Sequence, residues 1–111
     1  MTLDDLRSLD VNVDEGIERC LGHEEFYLQM LDSCLDDPKF EELGKSLLKP
    51  DLDDAFELAH ALKGVAANLS LTRLHDSLSA ITDKLRDRTQ MDYTDMYESV
   101  MKNKADLDAV R

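Results

Sequence analysis

The sequence predicts an all-α fold, an antiparallel four-helix bundle with a short additional N-terminal helix. Three observations lead there. Only two prolines and four glycines interrupt the 111 residues. Apolar residues recur at steps of three and four over long segments, the period of a helix with one buried face. The connections between these segments are short, which favours antiparallel neighbours.

Taken in order, Val13, Ile17 and Leu21 stand at four-residue spacing in VDEGIERCL, and Gly22 follows as a helix C-terminal residue. This is the short first helix. HEEFYLQMLDSCLDD (23–37) repeats Tyr27, Leu31 and Cys34, with Leu28 and Leu35 alongside. Pro38 then introduces KFEELGKSLL, either restarting a helix at its first turn or kinking a longer one, because proline lacks the backbone donor. Pro50 marks the next break, and DLDDAFELAHALKGVAANL (51–69) carries apolar residues at 55, 58, 59, 62, 65, 66 and 69. Its opening DLDD lacks the glycine and terminal glutamate of an EF-hand loop and reads as helix N-terminal charge. LTRLHDSLSAITDKL (71–85) follows with Leu71, Leu74, Leu78, Ile81 and Leu85. The last segment, 93–110, spaces Tyr93, Met96 or Tyr97, Val100 and Leu107 in the same way. No internal repeat or low-complexity linker divides the chain, so residues 1–111 read as one domain with one core.

Composition narrows the function classes. With 25 acidic and 13 basic residues the formal net charge is −12. Such a chain repels phosphate backbones and anionic lipid headgroups, so no nucleic acid and no membrane partner is expected. Cys20 and Cys34 lack metal-type spacing and read as reduced thiols acting as small apolar side chains. The start, MTLDDLRSLD, is acidic and has no apolar h-region, and no apolar run approaches membrane length. A cytoplasmic, free-standing, monomeric protein is the expectation.

His60 is the residue that asks for an explanation. Advancing about 100° per residue around an ideal helix, Ala55, Leu58, Ala59, Leu62, Val65, Ala66 and Leu69 centre on the side opposite His60. Phe56, Glu57, Lys63, Gly64, Ala67 and Asp53 fall within about 60° of it. The histidine should therefore face solvent near the middle of its helix. Gly64, one turn on, costs roughly 1 kcal/mol of helix stability relative to alanine, a residue this segment uses freely. Gly64 and the small Ala67 strip the surface beside His60 and would let another protein approach. Lys63 places a flexible ammonium where it could pair with an anion on the imidazole. Phe56 either adds apolar area to this patch or buries partly against the first helix. Phe56, Glu57 and Ala67 are thus the candidate partner-binding residues around His60, Lys63 and Gly64.

An accessible neutral imidazole is a nitrogen nucleophile near neutral pH, and a phosphoryl group is the electrophile that fits it. No serine–histidine–acid set, His-x-x-x-His zinc pair or Gly-rich phosphate loop accompanies it. Of the remaining histidines, His75 lies at the border of an apolar stripe and reads as structural rather than as a metal ligand. No metal site is expected. The chain has a nucleophile without the machinery to activate a donor, so no autonomous kinase activity is expected.

AHALKGVAANLSLTRL (59–74) resembles the signature of histidine-containing phosphotransfer (HPt) domains, a His-x-Leu-Lys-Gly core followed by a small residue, an apolar residue and usually a glycine. His60, Leu62, Lys63, Gly64, Ala66 and Leu69 carry the match, and GIERCLGHEEFYLQML (16–31) resembles the family's lead-in. The resemblance implies a bundle whose His60 takes a phosphoryl group from the aspartyl phosphate of one response-regulator receiver domain and passes it to another, downstream of a hybrid histidine kinase. It also implies that Lys63 offsets phosphate charge and that Gly64 gives steric access. No cofactor is implied, since the Mg²⁺ of transfer belongs to the receiver. Ser70 stands where the family commonly has glycine. If that turn needs a positive φ, serine costs of order 1 kcal/mol; alternatively its hydroxyl caps the following helix. Two other readings compete. A histidine-kinase dimerisation domain typically has an acid after the histidine, where this chain has Ala61. A phosphorylation-independent helical adaptor would use the same Phe56–Gly64–Ala67 surface to bind a receiver or another partner.

Overall fold

The computed structural model describes residues 1–49 and 51–111, and the break expected at Pro50 lies outside the described residues. The described residues form seven helices: α1 (Leu3–Ser8), α2 (Val13–Arg19), α3 (Glu24–Leu35), α4 (Lys39–Leu48), α5 (Leu52–Asn68), α6 (Thr72–Arg86) and α7 (Thr94–Asp108). Among them the only β feature is an isolated antiparallel bridge between Val11 and Leu71. The fold is all-α, as the periodicity predicts. The most extensive packing is α5 on α6, followed by α4 on α5 and α6 on α7, with α3 touching α7.

The N-terminus corrects the sequence reading, because two short helices precede the longer ones where one was expected. α1 forms because Thr2 and Asp5 cap it reciprocally: the Thr2 hydroxyl accepts from the Asp5 N–H at 3.1 Å, and the Asp5 carboxylate accepts from the Thr2 N–H at 3.2 Å. Leu6, fully buried, anchors it. α2 is also shorter than its apolar spacing suggests. It ends at Arg19, and Leu21 lies beyond it in the left-handed region (φ 62°) with 84% of its surface exposed. The Gly22 N–H bonds back to Ile17 O at 2.9 Å and the Leu21 N–H to Glu18 O at 3.1 Å, closing a Schellman turn. Leucine therefore occupies the position that glycine usually takes, and Gly22 comes one residue later. At Pro38 the chain restarts: α3 has ended at Leu35, and Pro38 (φ −64°) precedes α4.

The core follows the helical stripes. Tyr27, Leu31, Cys34 and Leu35 of α3, Ala55, Leu58, Ala59, Leu62 and Ala66 of α5, Leu74, Leu78, Ile81 and Leu85 of α6, and Val100 and Leu107 of α7 are all buried. Each buried leucine contributes roughly 1.5 to 3 kcal/mol. Both cysteines are free and buried, and burial, reinforced by the nearby Asp37, pushes the Cys34 thiol up to about 11. They act as small apolar side chains.

Two features fix the helix that carries His60. At its start, the Asp51 carboxylate accepts from the Asp54 N–H at 3.1 Å, and Asp53 and Asp54 place negative charge in the first turn. The DLDD segment is helix N-terminal charge, as read. At its end, Ser70 has φ 55°, with its N–H on Ala67 O (3.1 Å) and the Leu71 N–H on Ala66 O (3.0 Å). This is a Schellman turn with serine at the glycine position. The Ser70 hydroxyl does not cap α6, whose N-cap Leu71 makes no side-chain bond; it donates to the Glu15 carboxylate of α2 at 3.0 Å. The Asn12 N–H bonds Ser70 O (3.1 Å), and the buried Tyr27 hydroxyl donates to Leu69 O (2.8 Å). The ring of Tyr27 lies against Gly16, where an added Cβ would stand 2.4 Å from Tyr27 Cε1 and 2.9 Å from Leu69 O. α2, α3 and the end of α5 are therefore locked together.

Candidate functional site

On α5 the apolar side faces inward as the helical arithmetic requires, with Val65 only half-buried, and His60 is exposed. Glu57 and Gly64 are exposed with it, while Phe56, Lys63 and Ala67 are half-buried. All six residues share one face, so the sequence-predicted cluster is assembled by a single helix.

Gly64 is the informative member. A Cβ built on it meets nothing within 4 Å, unlike one built on Gly16 or Gly44, which would collide with Tyr27 or Tyr97. Glycine in a helix interior costs roughly 1 kcal/mol relative to alanine, and no internal contact offsets that here. The space next to His60 is left open on the outside of the protein.

Phe56 has neighbours that the sequence does not announce. It is half-buried against the core and meets residues at and just after the end of α6. The Arg88 guanidinium carbon lies 4.8 Å from the Phe56 ring centroid and that of Arg86 lies 5.7 Å away. On the same helix, the Phe56 and His60 rings stack, with centroids 5.5 Å apart and planes inclined by 18°. Ala67 also differs from the bare surface expected, since an Arg19 guanidinium N–H donates to its carbonyl while pairing with Glu15 at 2.9 Å. Arg19, Arg86 and Arg88 thus join the face, and no local pattern announced them: they lie 41 residues before, 26 after and 28 after His60 in the chain. Each of the three arginines is paired with a carboxylate, Arg19 with Glu15, Arg86 with Asp83 and Arg88 with Asp53, whereas Lys63, one turn from His60, takes part in none of the ion pairs among the described residues.

The geometry supplies an accessible nitrogen nucleophile, neighbouring positive charge and a surface that a second protein can approach. Among the described residues no group of three or more His, Cys, Asp or Glu side chains is placed to hold a metal. His75 is half-exposed with Nδ1 3.5 Å from the Asp76 carboxylate, and His23 stands at the start of α3 without a side-chain capping bond. Among the described residues no helix is long and apolar enough to cross a membrane.

A family model described as Hpt domain matches residues 25–111, from α3 through α7, and takes in His60 with Phe56, Glu57, Lys63, Gly64 and Ala67 but not Arg19. No curated protein and no solved structure matches the chain.

Proposed function

We propose that this chain, which belongs to the Hpt domain family, relays a phosphoryl group between aspartates of response-regulator receiver domains, with His60 as the phosphorylated residue. Hpt domains serve histidine phosphotransfer in phosphorelays and carry no cofactor of their own. The observation that carries the assignment of the site is the open space at Gly64 next to an exposed His60. A helix tolerates such a glycine at a cost, and access for a partner is what the cost provides.

In the proposed step, Nε2 of neutral His60, the ring nitrogen farther from the backbone, attacks phosphorus in line with the acyl oxygen of a receiver's aspartyl phosphate. The N–P bond forms, the P–O bond breaks, and its electron pair leaves with the aspartate carboxylate. The Nδ1 proton passes to bulk water, giving a neutral ring bearing the phosphoryl group, and the reverse sequence delivers that group to a second receiver. Lys63, which takes part in none of the ion pairs among the described residues, offsets the phosphoryl charge. Mg²⁺ is supplied by the receiver's acidic pocket.

The reading extends to the architecture and its setting. Residues 1–111 act as one monomeric domain in the cytoplasm, an antiparallel four-helix bundle downstream of a hybrid histidine kinase. Successive packing of α4, α5, α6 and α7 across short connections supports the bundle.

The test is transfer of label from a phosphorylated receiver with Mg²⁺ to the wild-type chain and to His60→Gln. The expected result is acid-labile label on the wild type and none on the variant, with receiver binding retained. Binding without label from a panel of receivers would make the His60 face an adaptor surface instead.

A further inference from the structure

We propose that Phe56 is a positioning residue that sets the plane of the His60 imidazole, and that Arg88 holds the Phe56 ring for this task. The inference rests on His60 being the phosphoacceptor and deepens that reading.

An exposed histidine has little to restrain it. Its terminal torsion is broad and roughly two-fold, so on a bare helix face the reactive nitrogen would sample many directions. In-line attack on phosphorus requires one direction, and small misplacements are costly to rate. Phe56 stands one turn before His60, and the centroid separation of 5.5 Å and 18° inclination lie within the range of favourable offset stacking. Such a pair shifts the population of ring orientations by about two- to tenfold.

The Phe56 ring is itself held. It is half-buried, and it is packed against the core. The Arg88 guanidinium that lies over it is unusually constrained for a surface arginine. Arg88 has φ 52° and occupies the position after α6 that a Schellman turn normally gives to glycine: its N–H bonds Leu85 O at 3.0 Å, and the Thr89 N–H bonds Lys84 O at 3.1 Å. Its Nε donates to Asp53 at 2.7 Å, and Nη1 donates to the carbonyls of Leu85 and Arg86 at 2.8 and 3.1 Å. Asp53 belongs to the first turn of α5, so the clasp spans the same two helices as the ring it covers. A glycine at position 88 would serve the turn better; an arginine serves Phe56.

The experiment compares wild type with Phe56→Leu, Phe56→Tyr and Arg88→Gln, using NMR of the His60 ring protons and single-turnover transfer from a phosphorylated receiver. Stacking on Phe56 should displace the ring-proton resonances. Phe56→Leu should abolish that displacement and lower the maximal transfer rate about three- to tenfold, with the half-saturating receiver concentration unchanged. Phe56→Tyr should restore both, and the surface variant Arg88→Gln should reduce both partly. Unchanged ring resonances in Phe56→Leu and Arg88→Gln would overturn the proposal, as would a higher half-saturating concentration at unchanged maximal rate, which marks a docking contact. A wild-type chain that takes no label defeats the phosphotransfer reading alone, because the ring resonances still decide whether Phe56 orients His60.

Discussion

Gly16 in α2 and Gly64 in α5 are both glycines inside helices, and their surroundings are opposite. Gly16 is filled from within: the Tyr27 ring and the Leu69 carbonyl occupy the space a side chain would need. Around Gly64 none of the described residues comes within 4 Å of where a Cβ would stand. Both positions give up helix propensity, roughly 1 kcal/mol each relative to alanine. At Gly16 the return is visible as internal packing that lets Tyr27 reach Leu69 and lock the end of α5. At Gly64 no internal return is found among the described residues, and the proposed function supplies one, room for a receiver to dock beside His60. The same residue type thus marks a structural junction in one place and, under the proposed function, a surface left clear for a partner in the other.

The same substitution made at both sites should separate them. Gly16→Leu must displace the buried Tyr27 ring and a backbone carbonyl, and overpacking of this kind should cost about 3 kcal/mol, read as a lower midpoint in urea unfolding. A midpoint equal to wild type would mean that the junction yields easily and that the contrast is overstated. Tyr27→Phe sharpens the comparison by leaving the ring in place and removing only the hydroxyl bonded to Leu69 O, with an expected loss of about 1 to 2 kcal/mol by the same measurement. No loss would assign the junction's stability to packing alone. Gly64→Leu carries the smallest stability effect and the opposite sign, from no change to a gain of up to about 1 kcal/mol. Its consequence should appear in phosphotransfer, where the blocked surface slows transfer from a receiver. Transfer kinetics equal to wild type would remove Gly64 from the mechanism.

The legible and illegible parts of this protein divide along a physical line. The inward stripe of α5 and the outward direction of His60 were readable because both depend on rotation along one helix, a local property. The helix starts and stops were less readable. Four turns, at Asp10, Leu21, Ser70 and Arg88, place non-glycine residues at positive φ after α1, α2, α5 and α6. Glycine as a stop signal does not mark such turns, and the apolar spacing of α2 therefore runs on to Leu21, two residues past the helix end at Arg19. α1 leaves little periodic signal in the sequence, because it is six residues long and its buried anchor is the single Leu6.

By itself, then, the sequence determined the all-α class, the core face of each long helix and the cluster of His60, Lys63 and Gly64, since residues three and four apart on a helix are neighbours whatever else the chain does. Only the tertiary structure decided that Ser70 bonds Glu15 rather than capping α6, that Arg19 reaches Ala67, that Arg88 covers Phe56, and that Gly64 lacks a neighbour while Gly16 has two. Each of these joins or separates residues on different helices, and helical periodicity specifies the face a residue occupies without specifying what packs against it.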